Sequence, residues 1–113
     1  MKYKIVLVPF PFDDLTQAKP RPAVCLTNAI GVHRHIVVAF ITSQVPAAPM
    51  TTDIILDSNR ADFQQTGLLV ASTLRLHRLV TVNRSIIQRE LGRLPLSVQT
   101  DVQNKLRKLF DLS

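Results

Sequence analysis

Apolar residues come in short runs along most of this chain and adopt a helical period only near its end. "KIVLVPF", Lys4 to Phe10, is continuous and β-branched, the pattern of a buried strand. "PFDDLTQAKP", Pro11 to Pro20, carries turn residues throughout and reads as a loop. "PAVCLTN", Pro22 to Asn28, gives a second strand, and Gly31 marks a turn. "HRHIVVAFIT", His33 to Thr42, is a third strand. It is apolar on both faces from Ile36 to Ile41, so its place is in the centre of a sheet. "SQVPAAPM" has too many prolines for a helix. "TTDIIL" is a shorter fourth strand, and the polar segment "DSNRADFQQTG" ends at Gly67.

"LLVAST" and "LRLHRLVTV" follow and can be joined as one long bent strand. On alternation alone Leu74, Leu76, Val80 and Val82 share one face, and Arg75, His77 and Thr81 the other. "NRSII" fits a single helical turn, and "QRELGRL" a last strand. Ser97 then stands as an N-cap before Val98, Val102, Leu106, Leu109 and Phe110, which fall at helical spacing. No repeat, low-complexity tract or linker interrupts the 113 residues, so the expectation is a single domain over 1–113. Short strands, long loops and one terminal helix make it mainly β, a small β-barrel-like domain with a helix packed on it.

Composition narrows the function classes. Lys and Arg number 14 against 8 Asp and Glu, a net charge of +6. Such a surface favours anionic partners, nucleic acid first, although charge alone also serves solubility. The single cysteine, Cys25, excludes an internal disulfide framework and lies in an apolar run, where a buried small hydrophobe is the simpler reading. The opening apolar segment is too short to span a bilayer and runs into proline rather than a cleavage site, so a cytoplasmic protein without a membrane role is expected.

Metal ligation is the first chemistry to test. His33 and His35 are two apart on a strand and can point the same way, but a third ligand would have to come from His77 or a distant carboxylate. No C-x-x-C or H-E-x-x-H spacing occurs, so no metal and no cofactor is expected. Neither a G-x-S-x-G elbow nor a P-loop is present. Two unusual spots remain. Arg21 sits between Pro20 and Pro22, whose fixed φ and missing N–H hold it stiffly at the mouth of a strand. In "AFITSQ" an apolar central strand ends abruptly in Thr42 and Ser43. Hydroxyls there can simply cap backbone groups. Together, a stiff arginine and a strand-end hydroxyl in a basic protein suggest a phosphate site, because arginine offers a fixed fork of donors matched to phosphate oxygens.

These residues carry a resemblance. "IVLVPFPFDDLTQAKPRPAV", then "AFITS", then "DIIL" through "GLLVASTLRLHRLVTVNRSIIQRELGRL" resemble the PemK/MazF toxins of type II toxin–antitoxin pairs, in order and over nearly the whole chain. The resemblance implies an SH3-like β-barrel with a C-terminal helix, assembled as a homodimer. It implies a metal-independent endoribonuclease that cuts single-stranded RNA, often mRNA, at short motifs, and a cognate antitoxin that blocks the RNA groove. The family's catalytic arginine falls on Arg21 and its catalytic hydroxyl on Thr42. Gln17, Lys19 and Ser43 are expected to bind RNA beside them, and Arg75 and His77 to line the groove because their strand face is opposite the apolar set, the alternative being an ordinary solvated face. Cleavage of this type uses the RNA's own 2′-OH, and a positioned cation and hydroxyl donor stabilise the phosphorane more than the ground state. Arginine keeps its proton in proteins, so Arg21 is assigned to charge stabilisation rather than acid catalysis.

The chain departs from the family pattern at three places. Tyr3-Lys4 replaces a frequent Gly-Asp, Thr16-Gln17 stands where many members carry an acidic residue, and Pro20 occupies a position often held by Gly or His. Two rival readings are a CcdB-like toxin aimed at gyrase, which acts through surface contacts, and an RNA-binding module without turnover.

Overall fold

The computed structural model describes residues 1–9 and 19–113. Six strands form one antiparallel sheet: β1 (Lys4–Pro9), β2 (Pro20–Cys25), β3 (His35–Thr42), β4 (Asp53–Leu56), β5 (Ser72–Asn83) and β6 (Arg89–Arg93). Their order is β4-β5-β3-β2-β1-β6, and the sheet curls into a half-barrel closed off by helix α1 (Leu96–Leu109). β3 has neighbours on both sides, as its apolar run predicts. The mainly β fold with a C-terminal helix follows the sequence reading, with shorter elements. His33 and Arg34 belong to the turn before β3, and Leu68 to Ala71 stay outside β5.

Both faces of the sheet are buried. Ile5, Val24, Ala39, Ile41, Leu74 and Leu76 face the helix, where Val98 and Val102 pack on them. Val6, Val8, Ala23, Cys25, Ile36, Val38 and Phe40 form a second cluster on the opposite face. Burial pushes the Cys25 thiol up to about 11, so it stays protonated and packs as a hydrophobe, as its surroundings in the sequence suggest.

One expectation about β5 is corrected. Leu74 and Leu76 do face the helix, but Val80 and Val82 belong to the second cluster. The cause is an irregularity in the ladder with β3. Ile41 opposes Leu74, yet Ala39 opposes Leu79, so β5 carries three more residues than β3 between those pairs. An odd surplus reverses which side each later residue faces.

A second correction concerns the helix. Its N-cap is Pro95, with no side-chain cap, and Ser97 instead accepts a hydrogen bond from Arg60 Nη2 at 2.8 Å. Other hydrogen bonds seat the helix: Gln99 Nε2 donates to Leu94 O at 2.8 Å, and Lys105 Nζ donates to Asp53 O at 2.7 Å. No helix among the described residues is long and apolar enough to cross a membrane.

Candidate functional site

The prolines that flank Arg21 shape the sheet around it. β2 runs beside β1 along its whole length, with Arg21 opposite Val8 and Pro22 opposite Leu7. Its ladder with β3 covers only Ala23–Phe40, Val24–Ala39 and Cys25–Val38. Pro22 and Pro20 have no N–H to give, and the pairing stops where they begin. Counting two residues on from the Ala23–Phe40 pair along each strand reaches Arg21 on β2 and Thr42 on β3. Alternation puts both on the face of Ala23 and Phe40. The two residues singled out in the sequence therefore hold matching register positions on one face, at the end where the strands part.

Thr42 is fixed in place. Its Oγ1 accepts the Gln44 N–H at 3.2 Å, and the hydroxyl of the fully buried Thr73 donates to Gln44 O at 2.8 Å. The capping role foreseen for this hydroxyl is real, and it uses a lone pair. Among the described residues nothing accepts the Thr42 proton, so it can be offered to a ligand.

Beside this end of the sheet lies a cavity of about 370 Å³. Leu7, Pro22, Ile41 and Leu91 line it together with Arg21, Ser43 and Arg89, and the segment Gly67 to Val70 and Ser72 complete it. Two glycines bring that segment onto β6. A Cβ on Gly67, where φ is +71°, would stand 2.0 Å from Leu91 O, and one on Gly92 would stand 2.2 Å from Gln65 O. No side chain fits either approach, so the 3₁₀ turn Phe63–Thr66 and the residues after it roof the cavity only because both positions are glycine.

The remaining predicted residues scatter. Ser43 lines the cavity. Lys19 is exposed just before β2, and Gln17 lies outside the described residues. His77 is exposed on β5. Arg75 is placed differently from expectation: it does not line the cavity, and it is tied to Asp53. Its Nε and Nη2 donate to the two Asp53 carboxylate oxygens, each at 3.1 Å, and the Asp53 side chain is fully buried. Alternation foretold an outward face but could not foretell a carboxylate on the paired strand. His33 and His35 stack with ring centroids 5.8 Å apart, and no group of three His, Cys, Asp or Glu side chains stands ready for a metal ion among the described residues.

Arg75 consequently has a structural task with a measurable cost. Burial pushes the Asp53 carboxyl up, but the Arg75 hydrogen bonds and the Met50 N–H outweigh it and hold it below the usual carboxylate range. Arg75→Ala leaves that carboxylate buried and unpaired. The expected loss at neutral pH is about 3 kcal/mol, at the low end for a broken buried pair because Arg75 is 27% exposed. Because the folded-state pKa is depressed, the pair stabilises the native chain above the unfolded value of about 3.9 and loses this as pH falls below it. Denaturant midpoints at pH 7 and pH 3 check both points: the gap between the two proteins narrows in acid.

Sequence reasoning missed Arg89, Ser72 and the Gly67–Val70 segment as parts of one site. The available signal was the pair of glycines in "QTGLL" and "ELGRL", far apart in sequence and in contact in the fold.

The profile of the family described as "PemK-like, MazF-like toxin of type II toxin-antitoxin system" matches residues 1–110. The chain belongs to that family. The structure is similar to the Mycobacterium tuberculosis toxin MazF-mt6 (TM-score 0.74, 21% identity, covering 97% of this chain and 98% of that one). It is also similar to MazE-MazF from Deinococcus radiodurans (TM-score 0.73, 23% identity, 98% and 95% covered). A third likeness is to an endoribonuclease in complex with its cognate antitoxin from a mycobacterial species (TM-score 0.72, 10% identity, 100% and 96% covered). No curated protein matches the chain. The likenesses show the PemK/MazF-type fold over the full chain, and the profile supplies the family.

Proposed function

We propose that this PemK/MazF-family toxin is a metal-independent endoribonuclease that cuts single-stranded RNA at short motifs, works as a cytoplasmic homodimer and is held inactive by a cognate antitoxin. The observation that carries the reading is the convergence of Arg21 and Thr42 on one face at the parted ends of β2 and β3. Similar structures that include an antitoxin or MazE support the partner.

In the proposed reaction the ribose 2′-oxygen bonds to the adjacent phosphorus and gives up its proton to solvent water. The bond from phosphorus to the 5′-oxygen breaks, and that oxygen takes up a proton from solvent water. The chain products end in a 2′,3′-cyclic phosphate and a 5′-OH. Between them lies a phosphorane with more negative charge on its oxygens than the starting diester. Arg21 offsets that charge with a guanidinium whose backbone the two prolines have already stiffened, so less freedom is lost on engagement. The Thr42 hydroxyl donates a hydrogen bond to a phosphorane oxygen and keeps its proton, while Gln44 N–H holds its lone pair. Lys19, Ser43 and His77 extend the polar surface offered to RNA, and Gln17 belongs to the same proposed set.

Thr42→Ala tests the pairing. Turnover is expected to fall by about 10²-fold, the loss typical of one positioned donor, with RNA affinity nearly unchanged. Thr42→Ser keeps the donor and should retain much of the activity. The measurement is kcat and Kd on the same RNA in EDTA. A variant that unfolds instead would make the Gln44 cap the whole purpose of this hydroxyl. RNA left intact by the unmodified protein, together with gyrase inhibition, would favour a protein-targeting toxin.

A further inference from the structure

A second concave site lies at the far end of the sheet from Arg21 and Thr42. It is a cavity of about 400 Å³ lined by Arg34, Asn83, Arg84, Ser85 and Ile87. His35 opens β3 opposite Asn83, and Thr42 closes the same strand. The 8 residues of β3 span about 23 Å, so the two sites are well separated.

Local structure sets two arginines side by side. Ile30 and His35 exchange backbone hydrogen bonds of 2.8 and 3.0 Å, which closes the turn before β3, and Arg34 N–H donates to Gly31 O at 3.2 Å. Arg34 takes a φ of +54° there, a left-handed conformation that glycine adopts without steric cost and a residue with a Cβ does not. Its carbonyl accepts the Arg84 N–H at 3.0 Å. The two guanidinium groups therefore start from backbones in direct contact, and both side chains line the cavity.

Neither charge is answered nearby. Arg34 and Arg84 are exposed, and among the described residues neither side chain has an ion-pair or hydrogen-bond partner. No carboxylate lines the cavity among those residues. Glu90 stands in an adjoining cavity that Arg84 also lines, but Lys4 Nζ pairs with it at 2.9 Å. The remaining polar groups can donate as well. Asn83 Oδ1 accepts the Ser85 N–H at 2.9 Å, which leaves the Asn83 Nδ2 hydrogens to offer. The Ser85 hydroxyl has no partner among the described residues. Two like charges side by side, with donors around them, are stabilised by an anion.

We propose that this cavity binds a terminal phosphate at a site separate from the Arg21–Thr42 face. The planar guanidinium fork matches phosphate oxygens. Two unshared forks balance the charge of about −2 that a terminal phosphate carries at neutral pH, and exceed the single charge of an internal diester. The cavity is larger than one phosphate, and Ile87 gives it an apolar wall, so the body that carries the phosphate has a place beside it. The ligand is a phosphate monoester, either a small molecule or the 5′-phosphorylated end of a nucleic-acid strand. The site stands apart from the proposed cleavage, whose products end in a 5′-OH and a cyclic phosphate.

Arg34→Gly and Arg84→Gln test this in the full chain. Both positions are exposed, and glycine suits the left-handed backbone at position 34, so both variants should keep denaturant midpoints close to that of the unmodified chain. Binding is followed at low salt by calorimetry and by the amide NMR signals of Arg34, Arg84 and Ser85. The probes are inorganic phosphate, adenosine 5′-monophosphate, and one DNA oligonucleotide with either a 5′-phosphate or a 5′-hydroxyl. Phosphate and the monophosphate should move those signals, and each variant should weaken both by about 10-fold. Tighter binding of the monophosphate than of the phosphorylated oligonucleotide supports a small ester as the source; the reverse order, with the 5′-hydroxyl oligonucleotide weak, supports a strand end. Signals that neither phosphate nor the monophosphate moves, or affinities unchanged in both folded variants, overturn the proposal. A 5′-hydroxyl oligonucleotide bound here more tightly than either monoester overturns it too, since an internal diester would then be the ligand.

Discussion

Arg21→Ala is expected to reduce RNA cleavage by at least 10²- to 10³-fold while the protein stays folded. The phosphorane proposed above gathers charge on oxygens that face the parted ends of β2 and β3. A donor aimed at such charge, in place before the reaction, is worth about 3 to 4 kcal/mol in the barrier. Arg21 is exposed at the strand mouth and belongs to neither apolar cluster, so both cores stay intact without it and the protein should remain folded. Arg21→Lys should also fail substantially, since a point charge on a flexible stem lacks the planar fork. The measurement is kcat/KM with circular dichroism on the same samples. Near-normal cleavage by folded Arg21→Ala would remove the central claim about this site.

Replacing the ribose on the 5′ side of the scissile phosphate by deoxyribose should abolish cleavage. The 2′-oxygen is the proposed nucleophile, and neither Arg21 nor Thr42 takes its place in that reaction. Affinity should hold, because contacts to phosphate and base do not need that hydroxyl. The all-RNA substrate should give a 2′,3′-cyclic phosphate and a 5′-OH. Mass analysis of the fragments, with binding of the substituted oligonucleotide measured alongside, decides the matter. A 5′-phosphate and a plain 3′-OH would mean that water attacked, and the mechanism would be wrong within a correct family.

Local signals in this chain were strong where a single segment carried them. The β-branched run Ile36–Ile41 made β3 central, since only a strand buried on both faces is apolar throughout. The 3.6-residue period of Val98 and Val102 gave the helix and its buried face. Pro20-Arg21-Pro22 and the abrupt Thr42-Ser43 each mark part of the candidate site within a single segment. Those features are legible because proline geometry and side-chain alternation depend on near neighbours alone.

Tertiary structure decided what depends on strands meeting. Three surplus residues in β5 turned Val80 and Val82 to the other cluster, a register fact that no single strand records. Asp53, on β4, claimed Arg75 because the ladder sets them opposite each other. Gly67 and Gly92 looked like ordinary turn and strand glycines until their backbones proved to touch other segments. The sequence by itself determined the element types, the buried runs, a stiff arginine and, in a separate segment, a strand-end hydroxyl. Only the fold determined which of its cations face a cavity and which are held by a carboxylate, because an ion pair or a pocket wall is made by residues that the chain keeps far apart.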